Sequence, residues 1–219
     1  DYVIDLGAGD GKIAIAAAKK FGARALGIEY NADMVKHAMR NIEKAGVAAK
    51  AKVVHGDIFA SDFSQATVIT LYLLPALNLK LRPQLLTMRP GTRVVSHSFT
   101  MEEWEPDETS AHDGRRAYFW VVPANVNGAW TLEVGSGAGA ERLELSLEQK
   151  FQKIEGSVML GTVQAGLRDA RLRGFHVSFG YVDSNSVRRD FTGRMIGGRM
   201  EGSFRAESGA EGRWVATKR

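Results

Sequence analysis

Three acids and three glycines early in this chain have the types and spacing to hold a small cationic molecule. The stretch reads DYVIDLGAGDGKIAIAAAKKFGARALGIEY, with Asp5 just ahead of Gly7, Gly9 and Gly11. Glu29 follows the last of these glycines by 18 residues, and Asp57 stands further on in HGDIF. Alternating glycines suit a turn in which the backbone bends tightly and lets a ligand approach closely. Two cofactor classes use such a turn, and the spacing separates them.

A dinucleotide fingerprint, G-x-G-x-x-G, would put its last glycine where Lys12 stands. The pattern here is G-x-G-x-G after an acid. S-adenosylmethionine brings no pyrophosphate to a helix N-terminus; it carries an ammonium, a sulfonium and a carboxylate. An acid at the end of a first strand can act on that ammonium, directly or through water, which is the position of Asp5. Glu29 lies at the interval where a carboxylate takes both ribose hydroxyls. Asp57 can accept a hydrogen bond from the adenine amino group, with Ile58 flanking the adenine face.

These residues need elements to position them. YVIDL reads as a strand, GKIAIAAAKKF as an Ala-rich helix, RALGIE as a strand and ADMVKHAMRNIEKA as a helix. Strands in AKVVHGD, ATVITLYL and TRVVSHSF follow, with a helix in PALNLKLRPQLL between the last two. Pro75 suits that helix's first turn, and Pro83 is expected to kink or shorten it. AYFWVV adds a strand after a polar loop. Strands alternating with helices predict an α/β fold, a Rossmann-like parallel sheet with helices on both faces. After VPANVNG the helical period disappears. AWTLEV, RLELSLEQKF, GSVML, FHVSFGYV, VRRDFTGRM, RMEGSFRAE and RWVATK are strand-like. They predict an antiparallel meander forming a small β-barrel or sandwich, with a hairpin turning at Gly197–Gly198. Two domains are expected, 1–123 and 124–219.

Composition removes several function classes. The chain has 219 residues and no cysteine, which excludes disulfides, thiolate catalysis and Cys-zinc sites. No apolar run approaches the roughly 18 residues of a membrane span. The net charge of +4 comes from scattered cations such as Arg115-Arg116 and Arg188-Arg189, which read as a solvated surface and not as a nucleic-acid site. No His, Asp or Glu spacing suggests a metal site. Asp1 stands almost inside the first strand, so the chain is expected to be a fragment of a longer one; its compartment is not legible.

Over residues 1–122 the chain resembles the class I S-adenosylmethionine-dependent methyltransferases. DLGAGDGKIAIAAAKKFGARALGIE, TLYLLPALNLKLRPQLL and RPGTRVVSHSF...WEPD resemble one branch most: prokaryotic relatives of the ATP-synthase c-subunit lysine methyltransferases, and archaeal protein-lysine methyltransferases. The resemblance implies S-adenosyl-L-methionine as cofactor, bound by Asp5, Gly7, Ala8, Gly9, Glu29, Tyr30, Asp57 and Ile58. It implies a protein or small-molecule methyl acceptor, a protein lysine first among them. Two departures stand out: relatives carry a segment before the first strand that is absent here, and an acid often follows the histidine of SHSF, where this chain has Ser98. Tyr72, at the end of the fourth strand, is the catalytic candidate, to orient the acceptor nitrogen or else to pack beside the cofactor. His97 reads as a satisfied histidine at the fold's edge, Trp104 as a further candidate, and Asp10 as a helix-terminus charge. NGAWTLEV resembles the Gly-x-Trp opening of lipocalin-like barrels. An active methyltransferase and a cofactor-binding protein fused to a ligand-binding barrel both remain open here.

Overall fold

The computed structural model describes residues 1–219, the Ala138 side chain excepted, and divides them into two units, Asp1–Val122 and Pro123–Arg219. The first unit begins β1 (Tyr2–Leu6), α1 (Lys12–Phe21), β2 (Arg24–Glu29), α2 (Ala32–Lys44) and β3 (Ala51–His55). It continues with β4 (Val68–Leu71), α3 (Pro75–Leu86), β5 (Arg93–His97), β6 (Glu108–His112) and β7 (Arg115–Val121). The sheet order is β3-β2-β1-β4-β5-β7-β6; β1 to β5 are parallel, while β7 runs antiparallel to both β5 and β6. Strand order reverses at β1, so a ligand crevice is expected outside the carboxyl ends of β1 and β4.

Small side chains let α1 lie close to this sheet. Ala14, Ala17 and Ala18 are buried with Ala25, Val53, Ala38 and Ile42 in one core cluster. The Asn31 side chain caps α2 by accepting from the Asp33 and Met34 amides at 2.9 and 3.2 Å. Two expectations need correction. α3 runs through Pro83 to Leu86, because the proline sits in the last turn and forfeits a single backbone bond. The polar loop before AYFWVV contains the edge strand β6, whose five residues are all exposed.

The second unit is built from strands alone apart from one short turn of helix. They are β8 (Gly128–Val134), β9 (Glu141–Lys150), β10 (Lys153–Leu160), β11 (Val163–Gly166), β12 (Arg168–Arg173), β13 (His176–Val182), β14 (Arg188–Ile196), β15 (Arg199–Ala206) and β16 (Glu211–Lys218). Consecutive strands pair antiparallel, and the last, β16, pairs with the first, β8. The one seam lies between β11 and β12, which a single residue, Leu167, separates. β11 pairs with β10 and β12 with β13, so these two segments act as one strand that changes partner midway. The result is a barrel of eight strand paths, not a sandwich. The Gly197–Gly198 hairpin turn falls as expected, both residues at positive φ.

Aromatic rings fill the barrel interior. Phe179 stacks on Phe191 at 4.9 Å between centroids, and Trp214 meets both edge-on. Trp214 Nε1 donates to the carbonyls of Thr192 and Ser203, each at 3.1 Å. Trp130 is fully buried and donates to the Val126 carbonyl at 2.8 Å. Burial pushes the Tyr181 phenol up to about 12. Gly193 and Gly202 face each other across β14 and β15 beneath Trp214. A Cβ on Gly202 would run into the Thr192 carbonyl oxygen. Gly202→Ala is therefore expected to cost about 3 kcal/mol or more, by urea denaturation. Gly139→Ala, with no heavy atom in reach of the new Cβ, should leave the midpoint unchanged.

Candidate cofactor and acceptor site

The site begins at the turn after β1. Gly7, Gly9 and Gly11 all take positive φ, at 80°, 50° and 81°, which explains why none carries a side chain. The turn's amides are already engaged: Gly7 and Ala8 donate to the Ile28 carbonyl, Gly11 to the Ala8 carbonyl, and Gly9 to Glu29 Oε2 at 2.8 Å. A phosphate cradle needs free amides at this turn. Instead one side of Gly9 is open, since a Cβ there would meet nothing within 4 Å.

Glu29 is half-buried at the end of β2, and its second oxygen accepts from the Asn31 amide at 2.9 Å. Each carboxylate oxygen keeps a lone pair for a further donor. Asp57 lies two residues beyond the end of β3, a small correction to its expected place at the strand end. Its Oδ1 accepts from the Phe59 amide at 2.8 Å, and among the described residues Oδ2 has no protein partner. Ile58 is buried beside it, Ala8 turns its methyl into the core, and Tyr30 is exposed with its ring 6.2 Å from that of His55. Asp10 pairs with Lys12 at 2.8 Å, which holds its carboxyl below the usual range.

Asp5 differs from the other acids. It is 1% exposed, lies between Gly27 of β2 and Thr70 of β4, and accepts from Thr70 Oγ1 at 2.6 Å. Desolvation pushes its carboxyl up to about 6, outweighing the Thr70 hydrogen bond.

A second wall of the candidate site forms at the ends of β4 and β5. Their register pairs Leu71 with Ser96, so the next residues, Tyr72 just past β4 and His97 at the end of β5, stand side by side. Their rings stand 4.2 Å apart. His97 Nδ1 meets Ser98 Oγ at 3.0 Å. Ser98 holds φ 65° while the Phe99 amide bonds the His97 carbonyl at 2.9 Å, a strained γ-turn. Asn78, buried on α3, braces this turn through Ser96 Oγ and the Phe99 carbonyl. Tyr72 and Leu74 are exposed, at 63% and 66%. His97, read from sequence as an edge histidine, thus lies against the catalytic candidate; the pairing of β4 with β5 was the missing signal. Trp104 is fully buried, its carbonyl accepting from Trp120 Nε1, and belongs to the core.

A sheet in this order, parallel through β5, with acids at or near the carboxyl ends of three adjacent strands and no phosphate cradle, defines a class I methyltransferase. The ANTKMT methyltransferase domain matches residues 5–108. A protein-lysine N-methyltransferase of Saccharolobus islandicus (strain REY15A) is 44% identical over 128 residues, 56% of this chain and 80% of that relative. The lysine N-methyltransferase of the ATP-synthase c-subunit from Mus musculus is 34% identical over 158 residues, 64% of each chain. A crystal structure described as an RNA methyltransferase from Salinibacter ruber, bound to S-adenosyl-L-homocysteine, shares 50% identity at a TM-score of 0.56, covering 57% of this chain and 83% of that one. The chain belongs to the family of S-adenosylmethionine-dependent methyltransferases that these relatives and the ANTKMT domain represent. S-adenosylmethionine is its cofactor, and the open side of Gly9 together with the spare acceptors of Glu29 and Asp57 fits that group.

The buried Asp5 carries a pH dependence. Its folded value of about 6 lies above the unfolded value of 3.8, so the folded state holds the proton more tightly. Stability from this group is complete below about pH 4 and is lost as pH rises through 6, a change of roughly 3 kcal/mol. Asp5→Asn should match the parent in urea at pH 4 and exceed it at pH 7.5.

Proposed function

We propose that this enzyme N-methylates a lysine of a protein substrate, with the acceptor nitrogen held at the Tyr72–His97 wall. The observation that carries the reading is this pair of rings, 4.2 Å apart and tilted by 50°, at the carboxyl ends of β4 and β5, beside an exposed apolar rim of Tyr72 and Leu74. Support comes also from the two relatives named as lysine N-methyltransferases. In this reading Glu29 holds the ribose hydroxyls, Asp57 and Ile58 the adenine, and Asp5 the ammonium end. Gly7, Ala8 and Gly9 form the wall beneath the cofactor, and Tyr30 lies at its ribose edge.

S-adenosylmethionine supplies an electrophilic methyl on a sulfonium. Its methyl would pass to a lysine nitrogen with S-adenosylhomocysteine as the leaving group, so that nitrogen has to arrive as the neutral amine. An apolar rim disfavours the ammonium, so Tyr72 and Leu74 promote loss of its proton to solvent. The Tyr72 hydroxyl then orients the nitrogen, and His97, fixed by Ser98, fixes the Tyr72 ring. In-line displacement needs positioning more than a strong base. Asp5, ionised once an ammonium lies near, gives cofactor binding its own pH dependence.

A second reading has one observation in its favour: the Salinibacter relative is described as an RNA methyltransferase. Incubating the chain with methyl-labelled cofactor and a cell lysate separates the two. The expected label lies in protein and hydrolyses to methyllysine; label in the RNA fraction would overturn the lysine reading. Two variants test the residues. Glu29→Gln should weaken S-adenosylhomocysteine binding at least about tenfold by calorimetry, since it loses charge-assisted bonds worth roughly 1.5–3 kcal/mol each. Tyr72→Phe should lower turnover about tenfold or more while that affinity stays within about twofold.

A further inference from the structure

A groove of about 620 Å³ crosses the outer face of the barrel from β12 to β16. Strand register lays out its floor. Arg171 pairs with Ser178, Ser178 with Thr192, Thr192 with Ser203, and Ser203 with Arg213. Three hydroxyl side chains in a row thus carry an arginine at each end. Five strands at about 4.8 Å spacing put those ends roughly 19 Å apart. Arg194 stands in the next row, between His176 and Glu201.

Six of the barrel's other arginines show the contrast. Arg142, Arg188, Arg189, Arg199, Arg205 and Arg219 each hold a carboxylate within 4 Å. Arg171, Arg194 and Arg213 are exposed, and among the described residues none of them has a carboxylate partner. Three guanidinium groups that hold no carboxylate in a direct ion pair, round a strip of hydroxyl donors, make a surface complementary to carboxylates.

We propose that this groove binds an acidic segment of a partner protein, laid across the strands in extended form. Roughly 19 Å is the reach of about six extended residues. Carboxylates near the two ends of such a segment meet Arg171 and Arg213, and the serine and threonine hydroxyls donate to those between. The chemistry favours a peptide over a nucleic acid on two counts. His176 alone among the lining residues offers a ring for a base to stack on, and Glu201, shared with Arg199, stands where an unbroken phosphate backbone cannot drop a charge. A peptide can place a neutral or basic residue there.

The test uses the full chain and a fluorescein-labelled decaglutamate peptide, followed by anisotropy at 50 and 300 mM salt, with labelled decauridylate in parallel. Decaglutamate should bind, weaken at the higher salt, and outcompete decauridylate. Arg171→Glu with Arg213→Glu should weaken decaglutamate at least about tenfold. A Lys52→Glu, Arg89→Glu variant, with the same change of charge in the first unit, should not. Unchanged affinity for S-adenosylhomocysteine and an unchanged urea midpoint verify folding of both variants. No binding of decaglutamate, binding equally reduced by both variants, or tighter binding of decauridylate through the same arginines would each overturn the proposal.

Discussion

The Glu29 carboxylate is the interaction on which the first unit's site depends. One oxygen holds the Gly9 amide and the other the Asn31 amide, so one side chain ties the glycine turn after β1 to the start of α2. Asn31 then caps that helix with its own side chain. A carboxylate with two fixed donors has few orientations left, and the lone pairs it keeps point where the turn leaves space. The residue proposed to hold the ribose therefore also shapes the wall around it. Glycine at positions 7, 9 and 11 is the other half of this arrangement, because only a positive φ brings the turn back under β2.

Sheet topology supplies the rest. β1 is the hinge of the strand order, and Asp5 is buried between its two neighbours, held by Thr70 from β4. That burial leaves the carboxyl easy to protonate in the free protein. A cationic ligand reverses this by giving the charge a partner. The Tyr72–His97 wall is set by β4 and β5, whose parallel register aligns the two residues. A strained turn at Ser98 is tolerated because the Arg116 carbonyl takes the Ser98 amide and Asn78 fixes the backbone on either side.

The sequence is legible where one strand's own residues decide its state. RALGIE and PALNLKLRPQLL can be bounded to the residue, since a buried run ending in an acid, or a Pro at the first turn, is a local signal. β6 is hidden because ETSAH has no apolar alternation and owes its state to pairing with β7 on one side only. VQAGLRDARLR is hidden for a related reason: Ala, Leu, Arg and Gln favour a helix, and two partners, β10 and β13, override that preference. The three acids and the glycines are readable as a set, because their spacing along the chain maps directly onto successive strand ends. The nearness of His97 to Tyr72 is not, nor is the arginine-ended row on the barrel. Both are products of register, which no single strand contains.

Closure of the barrel by its first and last strands has a consequence for how the chain is made. β8 has only β9 beside it until β16 arrives, some 80 residues later in the sequence. A ribosome delivers β16 after all the others, so every earlier strand waits as an open sheet. Trp130 on β8 and the rings of Phe179 and Phe191 face a core that lacks Trp214 for all of that time. Long-range pairing of this kind folds slowly and leaves apolar surface exposed meanwhile. The first unit completes its own sheet at Val121 and is free of that delay. The first unit is therefore able to fold during synthesis, and the second is a candidate for chaperone capture until β16 emerges.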